Sequence, residues 1–321
     1  MKKLLIVVPC YNEEAVLPMT ITALGDIINK LIEHKSVSPD SGVVFVNDGS
    51  RDATWQIIKN AACDNPSIHG VNLAGNVGHQ NALLAGLEYA MDKCDVTVSI
   101  DADLQDDVNV ICDMVQKYLD GADIVFGVRD NRDTDSAFKR FTAQSFYKLM
   151  NFIGAKTVYN HADFRLMSAR SVKALAQYGE RNLFLRGIVS NMGFSTDTVY
   201  YSRKERLAGE SKYPLKKMVS FALDGITSFS IRPITFVTGL GFAIILCAIA
   251  AFIYTIASHL AGRTIAGWSS LMISIWFLGG VQLFSIGLVG QYVGKTYIES
   301  KRRPRYFIDE TTDSEKNSDA H

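Results

Sequence analysis

The stretch Val96-Thr97-Val98-Ser99-Ile100, running straight into Asp101-Ala102-Asp103-Leu104-Gln105-Asp106-Asp107, decides how the chain is read. A short, mostly β-branched apolar run that ends in polar sequence has the length and composition of a buried strand. On an extended backbone residues i and i+2 point to the same side, so the carboxylates of Asp101 and Asp103 share a face. Two hard oxygen donors placed in this way suit Mg²⁺ or Mn²⁺, ions that keep coordination positions open for the oxygens of a diphosphate. The competing reading is a solvated acidic turn capping a helix that starts near Val108.

Further apolar runs at residues 4–8, 43–47, 68–72 and 124–128 read as strands, and residues 15–31, 54–62, 80–91 and 108–119 carry apolar side chains at helical spacing. This alternation predicts an α/β domain, Rossmann-like, with a mostly parallel sheet and helices on both faces. Ligands of such sheets sit beyond the carboxyl ends of the strands. Polar clusters follow those ends here: PCYNEE (9–14), NDGSRD (47–52), GNVGHQN (75–81) and DADLQDD (101–107). Neither a P-loop nor a dinucleotide-binding glycine fingerprint is present.

Lys+Arg and Asp+Glu balance at 33 each, so no global basic field points to nucleic acid and any anionic partner must meet a local cluster. The five cysteines are scattered without C-x-x-C spacing, which argues against a zinc site or a disulfide framework and for a reducing compartment. Lys2 and Lys3 precede only five apolar residues before Pro9, too few for a signal peptide.

Between Pro233 and Gly294 the only Asp, Glu, Lys or Arg is Arg263. Residues 234–260 and 268–293 each exceed the roughly 20 apolar residues that cross a hydrocarbon core. Lys216, Lys217 and Arg232 precede the first span, and Lys295, Lys301, Arg302, Arg303 and Arg305 follow the second. The positive-inside rule then predicts a multi-pass protein of the plasma (inner) membrane with both termini cytoplasmic. Residues 213–231 have the pattern of an amphipathic helix lying at the interface, a linker helix packed on the catalytic domain being the simpler alternative. The expected organisation is a catalytic domain at 1–212, this helix, a two-helix transmembrane hairpin within 232–294, and a tail at 295–321, basic at first and disordered from Asp309.

Taken in order, PCYNEE, VNDGSRDAT, GNVGHQNAL, DADLQDD, FGVR (126–129), HADFRLM (161–167) and RLAGESKY (206–213) resemble the family 2 glycosyltransferases of the GT-A fold. The resemblance spans about residues 4 to 300 and is to the polyprenyl-phosphate branch, which includes the dolichol-phosphate mannose synthases and the bactoprenol glucosyltransferases. Asp107 departs from it, since many relatives have Pro after the acidic motif. The resemblance implies an inverting, metal-dependent hexosyltransferase moving glucose from UDP-glucose onto a polyprenyl (undecaprenyl) phosphate for the cell envelope, and working as a homo-oligomer. Two alternatives stay open: a processive polysaccharide synthase, although RNLFLRG (181–187) does not fit the Q-x-x-R-W pattern of such enzymes, and a non-catalytic subunit that binds lipid-linked sugar.

Carried over by motif, Pro9, Tyr11 and Glu13 line the nucleotide pocket, Asp48 hydrogen-bonds the base and Gln105 lies near the sugar. Asp101 and Asp103 hold Mg²⁺ or Mn²⁺ and the donor diphosphate. Arg129 and Arg140 hold the acceptor phosphate, and Arg206 the donor diphosphate or a closing loop. Asp163 matches the residue proposed as catalytic base. A phosphomonoester, however, has its second pKa at about 6 and attacks as a dianion without giving up a proton. That chemistry leaves Asp163 three further roles: placing the acceptor, orienting Arg165 or binding a sugar hydroxyl. His79 and His161 read as capping or supporting residues.

Overall fold

All seven residues of β1 (Leu4–Cys10) are buried, the mark of a strand covered on both faces. The computed structural model describes residues 1–129, 161–181, 185–202, 232–260 and 267–313. Within them β1 pairs in parallel with β2 (Gly42–Asn47) on one side and β4 (Val96–Ser99) on the other, Val7 lying opposite both Val44 and Ser99. β3 (Ile68–Leu73), β5 (Ile124–Arg129), β6 (His161–Ser168), β7 (Thr196–Tyr201) and β8 (Ile308–Thr311) complete the sheet, in the order β7-β5-β6-β4-β1-β2-β3-β8. The chain moves outward from β1 through β2 and β3, then crosses back to place β4 on the other side of β1. That reversal opens a crevice at the carboxyl ends of β1 and β4, where PCYNEE and DADLQDD emerge.

The helices form where the apolar spacing predicts them. α1 (Leu17–Glu33) buries Leu17, Thr20, Leu24, Ile27, Ile28 and Leu31, one stripe of a 3.6-residue period. α2 (Thr54–Asp64), α3 (His79–Ala90) and α4 (Val110–Leu119) follow β2, β3 and β4. A Cβ on Gly86 would lie 2.4 Å from Val7 Cγ1 and 2.7 Å from Val46 Cγ2, so only glycine lets α3 settle this closely on β1 and β2. Its first residue, His79, is thereby held at the crevice.

β6 runs antiparallel between β4 and β5, so the sheet is mostly rather than wholly parallel. Asp163 and Arg165 break its hydrophobic pattern, yet both are buried and paired with each other. Ser168 caps the following α5 (Ala169–Ala176), accepting from Ser171 N. α6 (Leu185–Asn191) precedes β7.

For residues 309–313 the expectation of disorder is corrected by the structure. Ile308–Thr311 is the eighth strand, antiparallel to β3, and Thr312 and Asp313 are bound to the same edge. A short polar segment has no apolar period of its own, but here it lies over an existing strand edge. Residues 314–321 lie outside the described residues.

The chain divides into two compact units, one built on the sheet and including the segment from Arg303 onward, the other containing two long helices. These are α7 (Arg232–Leu260) and α8 (Trp268–Ser300), at the places where the sequence predicts apolar spans, α8 running seven residues past Val293. Among the described residues one stretch, Phe277–Ser300, is long and apolar enough to cross a membrane. Residues 213–231 and the connector with Arg263 lie outside the described residues.

Candidate active site

The loops after β1 and β2 are stitched together by side chains. Asn12 N donates to Ser50 Oγ at 3.0 Å, Glu13 N to Thr54 Oγ1 at 2.9 Å and Glu14 N to Asp52 Oδ2 at 3.2 Å. In return Arg51 N donates to Asn12 Oδ1 at 2.9 Å and Ala53 N to Glu14 Oε2 at 3.0 Å. Most polar residues of the two motifs are therefore spent on loop geometry. Tyr11 stands out, an aromatic side chain left exposed at the end of a buried strand. Pro9, expected to line a pocket, is instead a buried residue of β1 opposite Val46.

Asp48, at the end of β2, is buried and accepts from Val77 N at 2.7 Å, Gly78 N at 3.0 Å and Asn76 Nδ2 at 3.1 Å. Burial pushes its carboxyl up while the two amide bonds pull the other way. Three of the roughly four acceptor positions of a carboxylate are thus used in anchoring the GNVGHQN loop, which leaves one. Gly49 (φ +62°) makes this approach possible, since a Cβ there would meet Asn76 N at 2.5 Å.

Beyond β4, Asp101 and Asp103 flank a buried Ala102 whose carbonyl accepts from Thr20 Oγ1 at 2.7 Å. Leu104 takes a left-handed conformation (φ 52°), which costs a branched residue roughly 1–2 kcal/mol. Asp103 Oδ1 accepts from Gln105 N at 3.2 Å, and Gln105 itself is buried. Asp106, also buried, accepts from Tyr201 Oη at 2.7 Å and Arg129 Nη2 at 3.1 Å, while Arg129 Nε donates to Tyr201 Oη at 3.3 Å. The strand-end arginine thus leans on a buried acid of the DADLQDD loop and on a phenol of β7 that nothing in the sequence pattern marks out.

On β6, Asp163 Oδ1 accepts from Arg165 Nη2 at 3.0 Å and Arg186 Nε at 3.3 Å, and Oδ2 from Arg186 Nη2 at 3.1 Å. His79 Nε2 lies 3.5 Å from Asp163 Oδ2 and 3.5 Å from Asp101 Oδ1, joining the two acidic groups. Burial alone would raise the carboxyl of Asp163, but Arg186, His79 and Arg165 outweigh it and hold the group well below the usual carboxylate range. A carboxylate so stabilised is a weak base at neutral pH. Asp101 is shifted upward, by burial first and then by Asp163, Asp106 and Asp103, against the opposing pull of His79.

The family described as Glycosyl transferase family 2 matches residues 5–176. The chain belongs to glycosyl transferase family 2. An uncharacterized glycosyltransferase of Bacillus subtilis is 55% identical over 95% of this chain and 91% of its own length. A prophage bactoprenol glucosyl transferase homolog of Escherichia coli and the bactoprenol glucosyl transferase of Shigella phage SfV are each 42% identical over 95% of this chain and 98% of theirs. The chain is therefore a family 2 glycosyltransferase that matches these relatives over nearly their whole length.

For this glycosyltransferase the structure brings Asp101, Asp103, Gln105, Asp163 and Arg129 to the carboxyl edge of the sheet, with Tyr11, Glu13 and Asp48 on the loops beside them. Arg140 and Arg206 lie outside the described residues, as do Arg132, Arg203, Lys204 and Lys212. Sequence reasoning missed Arg186, Asp106 and Tyr201. The i, i+2 spacing of Asp163 and Arg165 was a usable sign of a charged cluster on one strand face, whereas the partners from α6 and β7 become visible only once the strands are placed.

No group of three or more His, Cys, Asp or Glu suited to a metal ion occurs among the described residues. Two carboxylates are nonetheless a fitting donor set for a cation that shares its coordination with a diphosphate. Asp101, crowded by three other acids, is also the kind of carboxylate that a nearby cation would stabilise.

Proposed function

We propose that this glycosyltransferase moves glucose from UDP-glucose onto a polyprenyl phosphate, with inversion, at the cytoplasmic face of the plasma membrane. The observation that carries the reading is the 42% identity over nearly full length with proteins named bactoprenol glucosyl transferase. Asp101 and Asp103 would hold Mg²⁺ or Mn²⁺, which when bound neutralises charge on the donor diphosphate. Tyr11 and Glu13 flank the nucleotide, and the remaining acceptor position of Asp48 takes the imide N–H of uracil. An oxygen of the acceptor phosphate attacks the anomeric carbon. The new C–O bond forms as the bond from that carbon to the nucleotide diphosphate breaks, and the electron pair leaves with the diphosphate.

The long helices supply the anchor. In α7, Phe242, Ile253 and Tyr254 are exposed, and in α8 so are Phe277, Leu283, Phe284 and Ile286, a distribution suited to lipid rather than water. We read the two as a membrane hairpin with both termini cytoplasmic, which keeps the active site near the headgroups that carry the acceptor. The deciding experiment incubates the purified full chain with a panel of nucleotide sugars and undecaprenyl phosphate and weighs the lipid product. A mass increase of one hexose with UDP-glucose is expected; no glycolipid with any donor would reject the proposal.

A further inference from the structure

We infer that Arg186 is a phosphate-contacting residue of the transfer reaction and that Asp163 is the positioning residue that aims it. The inference rests on the proposed transfer to a lipid phosphate. Asp163 is poorly placed to act as a base, because both its oxygens already face donors: Oδ1 meets Arg165 Nη2 and Arg186 Nε, and Oδ2 meets Arg186 Nη2 and stands 3.5 Å from His79 Nε2. Its side chain is only 9% exposed.

The two guanidiniums differ in what they can reach. The side chain of Arg165 is 0% exposed and that of Arg186 is 37% exposed, so the charge that faces a ligand is carried by Arg186. Through Nε and Nη2 it grips both oxygens of Asp163, which fixes the plane of the guanidinium, and a planar fork with a fixed orientation is the usual means of reading phosphate oxygens. The backbone around it is tied down as well. Leu185 N donates to Gln80 Oε1 at 3.0 Å, linking the start of α6 to α3. His79, adjacent to Gln80, bridges Asp163 and Asp101, so Arg186 is linked through the Asp163 carboxylate and one imidazole to the acidic pair beside which the diphosphate and the attacking phosphate must meet.

The test uses the full chain in detergent micelles with UDP-glucose and undecaprenyl phosphate, comparing wild type with Arg186→Gln, Arg186→Lys and Asp163→Asn. Loss of one preorganised donor should lower kcat/KM on the order of 10²-fold in Arg186→Gln. Lysine should restore only part of it, since it keeps the charge without the fork. A rise in the KM for undecaprenyl phosphate assigns the contact to the acceptor, a rise in that for UDP-glucose to the donor, and either supports the inference. Asp163→Asn should lose a similar factor evenly from pH 6 to 9, and adding it to Arg186→Gln should cost little more, because the two act as one unit. Wild-type kinetics for both substrates in Arg186→Gln, or recovery of Asp163→Asn with rising pH that wild type does not share, would overturn the inference. If Asp163→Asn unfolds because Arg165 is left unpaired, Arg186→Lys decides alone. If wild type transfers no sugar, the proposed function fails separately, and affinities of Arg186→Lys for UDP-glucose and for undecaprenyl phosphate vesicles equal to those of wild type overturn the phosphate contact.

Discussion

Trp55 in α2 donates its indole N–H to the carboxylate of Glu310, 255 residues further along the chain. This contact is one stitch in a strap that closes the sheet with sequence following α8. Ala74 N donates to the Phe307 carbonyl at 3.0 Å and Asn72 Nδ2 to Asp309 Oδ2 at 3.2 Å. Thr312 Oγ1 accepts from Gly70 N at 2.9 Å, and Asp313 gathers Tyr89, Lys93 and His69. An edge that would otherwise leave the backbone groups of β3 open for pairing with another chain is covered from within.

Thr312→Val tests whether the strap bears on stability. Valine keeps the shape but leaves the amide of Gly70 buried without its acceptor, which should cost about 1–3 kcal/mol. Urea unfolding of the full chain in micelles measures it, with Thr312→Ser, which retains the hydroxyl, expected near wild type. Equal midpoints for Thr312→Val and wild type would mean that β8 is not coupled to the sheet.

The strap also carries a pH dependence. Burial would raise the carboxyl of Asp313, but Lys93, Tyr89 and His69 outweigh it and hold the group below the usual carboxylate range. A depressed carboxyl stabilises the fold above its unfolded pKa of about 3.9, and the contribution is lost as pH falls through the folded value. Wild type should therefore exceed Asp313→Asn in stability between pH 5 and 7, with the gap closing below about pH 4. A gap that widens on acidification would contradict the assignment.

The parallel core was legible because buried parallel strands are continuous apolar runs, and β1 to β5 lie within a residue or two of where those runs predict them. β6 was not legible, since its Asp163 and Arg165 satisfy each other in the interior and break the pattern by which a strand is recognised. β8 escaped for a different reason: a polar strand at an edge is defined by its neighbour, not by its own sequence. The same contrast holds at the site. The acidic pair at 101 and 103 is local and readable, whereas the bond from Arg186 to Asp163 joins α6 to β6 across 23 residues of sequence.

Asp103→Asn should abolish transfer while leaving the unfolding midpoint close to wild type, because the amide keeps the shape and removes only the charge that a cation needs. Excess chelator should do the same to wild type, with activity returning on addition of Mg²⁺ or Mn²⁺. Full activity of the variant, or of chelated wild type, would remove metal dependence from the account.

Membrane topology is accessible to cysteine labelling. Cys10 is buried in β1 and out of reach of a reagent, but Cys63 on α2 is exposed. With Cys247 replaced by serine, Cys63 and a Ser318→Cys thiol should resist an impermeant maleimide in intact cells and react after permeabilisation, while Thr264→Cys should react without it. Labelling of Cys63 in intact cells would place the catalytic domain on the other side.

Tyr201→Phe isolates the aiming of Arg129. The phenol donates to Asp106 Oδ1 at 2.7 Å and accepts from Arg129 Nε at 3.3 Å, so removing one oxygen breaks two bonds. The ring should stay, since it meets Phe164 edge-on with centroids 5.4 Å apart. Asp106 keeps Arg129 Nη2, at 3.1 Å, and is not left unpaired, which limits the stability cost to about 1–2 kcal/mol. Arg129, held then at one nitrogen instead of two, gains freedom to swing about that bond. If Arg129 holds the acceptor phosphate, the KM for undecaprenyl phosphate should rise about 5- to 10-fold with kcat and the KM for UDP-glucose little changed, the pattern of lost ground-state binding to one substrate. A fall in kcat with both KM values unchanged would instead assign Arg129 to charge that develops only in the transition state. No kinetic change at all would show that Arg129 is a packing residue of β5 and that the acceptor is held elsewhere.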